Sequence, residues 1–146
     1  MFLGQYRHNL DSKDRLTVPA RFRELLQNGA YVMQGFDRNL MILTEDAFQA
    51  ISQRIKHTSV TDPDSRLLRR LIYSTADRVD LDKGGRILVP LFLRQWANLS
   101  GEVILVGMGD FFEIWSPETW AVQHSLLEDA DANAQRFSTY EISTEL

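Results

Sequence analysis

The sequence predicts a mainly β, mixed α+β fold in which two copies of one small unit share a single barrel-like core. Three observations carry this expectation. First, Leu10-Asp11-Ser12-Lys13-Asp14-Arg15-Leu16-Thr17-Val18-Pro19 returns 71 residues later as Leu81-Asp82-Lys83-Gly84-Gly85-Arg86-Ile87-Leu88-Val89-Pro90. The match continues through Arg23 and Arg94; after one inserted residue Gly35 falls on Gly107, Ile42 on Ile114 and Phe48 on Trp120. Second, each copy alternates short strand-like runs with turn formers. Third, a unit of roughly 45 residues buries too little surface to stand alone, so two units pairing hairpins about a pseudo-twofold axis would close one core.

In chain order, Tyr6–Leu10 and Arg15–Val18 alternate as strands around a turn, which predicts a hairpin. Pro19 suits the first position of a short helix through Phe22, Leu25 and Leu26, ending near Asn28-Gly29. Tyr31–Gln34 and Leu40–Leu43 form a second strand pair around Asp37-Arg38-Asn39. Thr44 is an N-cap, and Glu45 and Asp46 favour the positive end of a helix that reaches about Lys56. Asp62-Pro63 starts another helix, with Leu67, Leu68, Leu71 and Ile72 on one face and Arg66, Arg69 and Arg70 largely on a solvated one. The second copy has strands near Arg78–Leu81, Arg86–Val89, Val103–Gly107 and Phe111–Trp115. A short helix follows Pro90, and Ser116-Pro117 caps a longer one. Phe111, Phe112, Trp115 and Trp120 read as core or subunit interface. The expected divisions are a first unit over 5–47, a helical connection over 48–75, a second unit over 76–119, and a helix end with an acidic tail over 120–146. The stretch from Asp129 is nearly periodless and is expected to be flexible.

Composition narrows the function. With 44% hydrophobic and 25% charged residues over 146, the chain is ordinary globular protein. Its greasiest run, Ile87 to Leu93, is seven long and contains Pro90, far short of a bilayer span. Met1-Phe2-Leu3 meets Gly4, Gln5 and Arg7 before any signal-peptide core develops. Without cysteine there is no disulfide, thiolate metal site or cysteine nucleophile. A soluble protein of a reducing cytoplasm is expected. The net charge of −4 hides an asymmetry: residues 1–100 carry 15 basic and 11 acidic residues, and residues 101–146 carry one and nine. Such segregation leaves a basic face on an acidic protein. Thirteen of the 16 basic residues are Arg, which meets phosphate, guanine edges and carboxylates bidentately.

The repeated Asp-x-x-x-Arg is the main chemical motif. Gly84-Gly85 argues against a helical Asp82–Arg86 pair, because each Gly costs a helix ~1 kcal/mol. Across a three-residue turn the same spacing sets carboxylate opposite guanidinium. Asp11 and Asp82 would then fix Arg15 and Arg86 while other N–H donors stay free for a ligand; a mere hairpin staple is the alternative. A symmetric pair, each with a lysine nearby (Lys13, Lys83), favours the ligand-facing reading. Catalytic signals are absent: His8, His57 and His124 are scattered, Gly107-Met108-Gly109 lacks the rest of a dinucleotide fingerprint, and no activated nucleophile is visible. No enzyme activity, cofactor, metal or small-molecule substrate is expected.

These residues carry a resemblance. The opening Met-Phe-Leu-Gly, the two Asp-x-x-x-Arg phrases followed by Val-Pro, and Phe111-Phe112-Glu113-Ile114-Trp115 resemble the MraZ family of bacterial transcriptional regulators over about residues 1–125. The resemblance implies an AbrB-like, swapped-hairpin β-barrel of the double-psi type, with two units in one chain. It implies a DNA-binding repressor of its own promoter, at the head of the division and cell-wall gene cluster. It further implies ring-shaped homo-oligomers on tandem short repeats of double-stranded DNA, associated with the nucleoid. The family's DNA-reading arginines match Arg15 and Arg86; Lys13 and Lys83 are expected on phosphate. One departure is Asp14, where the family usually places Gly: it is expected to set a negative charge against Arg15 and weaken the first copy. An antitoxin-like protein-interaction module of the same barrel class is the alternative function.

Overall fold

Turn residues and prolines cut the chain into short elements, and a computed structural model describes them over residues 1–145; Leu146, the end of the expected tail, lies outside the described residues. The strands are β1 (Gln5–Asn9), β2 (Arg15–Thr17), β3 (Ala30–Gln34), β4 (Leu40–Thr44), β5 (Asp77–Val79), β6 (Arg86–Leu88), β7 (Glu102–Gly107) and β8 (Phe111–Trp115). The helices are α1 (Ala20–Arg23), continued by a 3-10 turn over Glu24–Leu26, then α2 (Glu45–Lys56), α3 (Pro63–Thr75), α4 (Leu91–Trp96), α5 (Pro117–Glu128) and α6 (Ala130–Arg136). Among the described residues no helix is long and apolar enough to cross a membrane.

Among the described residues two antiparallel sheets form, one of six strands in the order β1-β7-β8-β4-β3-β5 and a two-stranded ribbon β2-β6. Exchanging the repeats reads the six-stranded order backwards and leaves it unchanged. At its centre Leu40 faces Ile114, Ile42 faces Phe112, and Met41 faces Glu113. In the ribbon Leu16 faces Ile87, flanked by Arg15 opposite Leu88 and Thr17 opposite Arg86. Each facing pair at the midpoint is a repeat-equivalent pair. The pseudo-twofold axis therefore passes through Met41 and Glu113 on one side and Leu16 and Ile87 on the other.

The strands exchange between the repeats, as the family resemblance implies, and not within each repeat as alternation alone suggests. β1 does not pair with β2; it lies along β7 from Gln5–Val106 to Asn9–Glu102, and β5 lies along β3. A Leu10–Leu16 bridge and a tight turn, the latter also held by the Asp11 side chain, close the tip of the first hairpin. Alternation foretells a strand but not its partner. Exchange across the repeats aims Leu16, Val18, Ile87 and Val89 into one core with Ile42, Leu105, Phe112 and Ile114, which a self-paired hairpin would leave divided. Phe22 centres this core, its ring 5.0 Å from both Phe2 and Phe112. Each fully buried side chain of this size stabilises the fold by roughly 1.5–3 kcal/mol.

Helices α2, α3 and α5 cover the outer face of the large sheet, while α1 and α4 turn Phe22 and Leu93 into the shared core. Phe48 and Ile55 of α2 and Ile72 of α3 close over Met33, Met41 and Leu43, and Phe48 stacks on Tyr31 at 4.1 Å. Trp120 of α5 covers Ile104, Val106 and Trp115. The expected caps form: Thr44 Oγ1 accepts from the Ala47 N–H (3.1 Å), Ser116 Oγ from Thr119 (3.2 Å) and Asp62 Oδ1 from Asp64 (3.3 Å). Two expectations fail here. Arg69 is not solvated: its Nη2 donates to the carbonyls of Ile55, Lys56 and Thr58, closing the C-terminus of α2, while Leu67 is exposed. The stretch after Asp129 is not structureless, because the Asp129 side chain accepts from the Ala132 N–H and starts α6. Alanines 130, 132 and 134 favour helix without producing an apolar period, so periodicity missed it.

Candidate nucleic-acid interface

The two Asp-x-x-x-Arg segments fold into near-identical turns at the edges of the ribbon. In the first, the Asp14 N–H donates to the Asp11 carbonyl (2.9 Å) and the Asp11 N–H to the Arg15 carbonyl (3.0 Å). In the second, Gly85 donates to Asp82 (3.0 Å) and Asp82 to Arg86 (2.9 Å). Both turns need one left-handed residue, supplied by Asp14 (φ 61°) and Gly85 (φ 75°). Gly adopts that conformation freely and Asp tolerates it.

Each aspartate holds its turn with one oxygen and its arginine with the other. Asp11 Oδ1 accepts from the Lys13 and Arg15 N–H groups (both 2.9 Å), and Oδ2 accepts from Arg15 Nε at 2.8 Å. Asp82 Oδ1 accepts from Gly84 (2.8 Å) and Arg86 (2.9 Å), and Oδ2 from Arg86 Nε at 3.0 Å. The backbone N–H of Arg15 lowers the Asp11 pKa most, and that of Arg86 does so for Asp82. Both carboxylates therefore stay ionised below the ordinary range. The turns also meet across the axis, with Arg15 Nη1 3.9 Å from Asp82 and Arg86 Nη1 3.8 Å from Asp11. All four side chains converge in one alternating cluster.

Among the described residues no hydrogen bond engages the terminal nitrogens of either guanidinium, so each keeps donors for a ligand. Burial alternates along the ribbon, turning Leu16 and Ile87 inward and Arg15, Thr17, Arg86 and Leu88 outward. From a strand rise of ~3.3 Å and a spacing of ~4.8 Å, the two arginine Cα atoms lie about 8 Å apart. Lys13 and Lys83 are exposed at the turns as expected. They are not symmetry mates, however: in register Lys13 matches Gly84, and Lys83 matches Ser12.

Asp14 corrects the expectation set for it. Its carboxylate is turned from Arg15 to the opposite repeat, where Oδ1 lies 3.2 Å from Arg94 Nη1. Thr17 and Leu88 were missed in sequence although strand parity puts residues 15 and 17, and 86 and 88, on one face. Arg23 and Arg94 were also missed; their only signal was their place in the repeat.

Fold and site together define a two-repeat α+β protein with exchanged strands, presenting paired arginines from a ribbon on its pseudo-twofold axis. A family model described as "MraZ protein, putative antitoxin-like" matches twice, over residues 1–71 and 72–139. Relatives named "Transcriptional regulator MraZ" include one from Thermomicrobium roseum, 42% identical over 95% of this chain and 99% of its own length. Another from Herpetosiphon aurantiacus is 41% identical over 97% and 100%, and one from Desulfitobacterium hafniense is 40% identical over 92% and 94%. The chain belongs to the MraZ family, and these relatives carry the name of transcriptional regulators.

Proposed function

We propose that this chain is a sequence-specific, double-stranded-DNA-binding transcriptional regulator that reads base edges with Arg15 and Arg86. The observation that carries the reading is the paired cluster itself: two half-buried guanidiniums on the outward face of the ribbon are oriented through Nε by ionised aspartates, and among the described residues their terminal nitrogens make no hydrogen bond. Guanine presents O6 and N7 to such a fork, and the major groove admits a two-stranded β-ribbon. Leu88 and Thr17, on the same outward face, supply methyl groups suited to thymine. Lys13 and Lys83 contact phosphate and set position without reading sequence.

One chain offers few phosphate contacts on an acidic body, so binding gains from several chains joined in a homo-oligomeric ring on tandem short repeats. The relatives' name supports regulation, and repression of the chain's own promoter, at the nucleoid, is the specific form proposed. A protein partner is the second reading. The exposed Leu88, Leu91 and Phe92 beside the ribbon favour it, as does the family's antitoxin-like description. A protection footprint on the DNA upstream of the chain's own gene distinguishes them. Regularly spaced protected repeats support DNA reading; no protection, with a stoichiometric protein recovered on pull-down, supports the other.

A further inference from the structure

The two reading turns are not held by their own repeats alone. The Val18 N–H donates to the Gly85 carbonyl (2.9 Å), and the Val89 N–H to the Asp14 carbonyl (3.4 Å). The left-handed residue of each turn thus hangs on the valine of the opposite repeat. Above each valine sits an arginine five residues on. Arg23 Nε donates to the Val18 carbonyl (2.7 Å), and Arg94 Nε to the Val89 carbonyl (3.0 Å). Fixed in this way, each guanidinium faces the other repeat's turn. Arg94 Nη1 meets the Asp14 carboxylate at 3.2 Å. Arg23 lies so close over Gly85 that a Cβ there would fall 2.5 Å from its Nε.

We propose that Arg23 and Arg94 are positioning residues that brace the two reading turns crosswise, Arg94 holding the turn of Arg15 and Arg23 the turn of Arg86. Neither faces the ligand; each acts through residue 14 or 85 on the arginine next to it in sequence. The two braces differ in kind. The first is an ion pair between a mostly covered Arg94 side chain, 17% exposed, and an Asp14 carboxylate that is 45% exposed. The second is a steric fit that requires Gly at position 85. A carboxylate at position 14 is therefore part of the brace, and the two turns are matched in shape by different chemistry. Strand exchange makes this arrangement possible, since it brings each turn against the opposite valine.

The positional part of the proposal is tested without DNA, by amide hydrogen exchange on the full-length protein. Arg94→Ala is expected to speed exchange about tenfold at Asp14 and Arg15 and leave Gly85 and Arg86 unchanged; Arg23→Ala is expected to do the reverse. Opening confined to the variant's own repeat, or equal in both turns, would overturn the crosswise brace. Should Arg94→Ala fail to fold, Asp14→Asn removes the charge and keeps a residue that tolerates positive φ. It should open the first turn alone, and an unchanged first turn would overturn the ion-pair brace.

The consequence for DNA rests on the proposed function and is read separately. Arg94→Ala should weaken promoter binding about tenfold in an Arg86→Ala background and have no effect in an Arg15→Ala background. Equal losses in both would overturn the pairing of Arg94 with Arg15. Arg94→Lys, which keeps a cation for Asp14, should recover part of the loss; no recovery would count against the ion pair. Wild-type protein that binds no DNA would overturn the proposed function and leave the exchange pattern to decide the brace.

Discussion

Replacing Asp82 by Asn separates the two jobs of that side chain. Its Oδ1 holds the turn through the Gly84 and Arg86 N–H groups, and Asn keeps an oxygen for both. Its Oδ2 accepts from Arg86 Nε at 3.0 Å, and the Asn amide would set a donor against that donor. The turn should therefore persist while the Arg86 side chain is released. An arginine freed in this way regains about 1 kcal/mol of rotamer freedom that DNA must remove again, or roughly fivefold in affinity for the specific site. Removing a negative charge beside the site cannot weaken attraction to phosphate, so affinity for a scrambled duplex should stay level or rise. Fluorescence anisotropy on specific and scrambled duplexes, at two or more salt concentrations, measures both. The expected result is lost discrimination with a single cooperative melting transition at a somewhat lower temperature and no shallower salt dependence. An equal loss on both duplexes, or full specific affinity, would refute the assignment of Asp82 as positioner.

Other consequences follow from the same geometry. Gly85→Ala forces a Cβ against Arg23 at a residue with φ 75° and should cost ~1–3 kcal/mol on chemical denaturation, whereas Asp14→Gly should change stability far less. Leu16→Ala, on the pseudo-twofold axis and fully buried, should cost ~2–5 kcal/mol; a cost below ~1 kcal/mol would contradict a single shared core. Residues 1–58 alone should be unfolded or self-associated, because β1, β2 and β4 all have partners in the second repeat, and a sharply melting monomeric fragment would contradict this. Burial raises the Glu113 pKa above its ordinary 4.5, so the folded state holds that proton more tightly than the unfolded chain. Between the raised value and 4.5, falling pH should therefore move the melting temperature of wild type upward relative to Glu113→Gln; a gap that does not change with pH would contradict it.

What the sequence revealed, and what it hid, divides along physical lines. Thr44, Asp62 and Ser116 were readable as caps because capping is local chemistry between a side chain and an N–H two or three residues on. The aspartate–arginine contact was readable for the same reason, since a tight turn brings residues four apart together. Strand partners were not readable from alternation: Tyr6 to Asn9 alternates equally well beside β2 or beside β7, and only the shared core decides. Arg69 looked solvated because helical periodicity gives a face but not what lies opposite, here the unsatisfied carbonyls ending α2. Asp14 looked like a defect beside Arg15 because its true partner, Arg94, is 80 residues away and meets it only after the strands exchange.

The central claim is that Arg15 and Arg86 read DNA sequence from the ribbon, and one titration tests it most directly. The Arg15→Ala, Arg86→Ala double variant, shown by its melting to be folded, is titrated beside wild type against the duplex upstream of its own gene and a scrambled control. Loss of preference for the upstream duplex, with residual salt-sensitive binding through Lys13 and Lys83, is the predicted result. Unchanged affinity and preference would contradict it and make the cluster a structural staple.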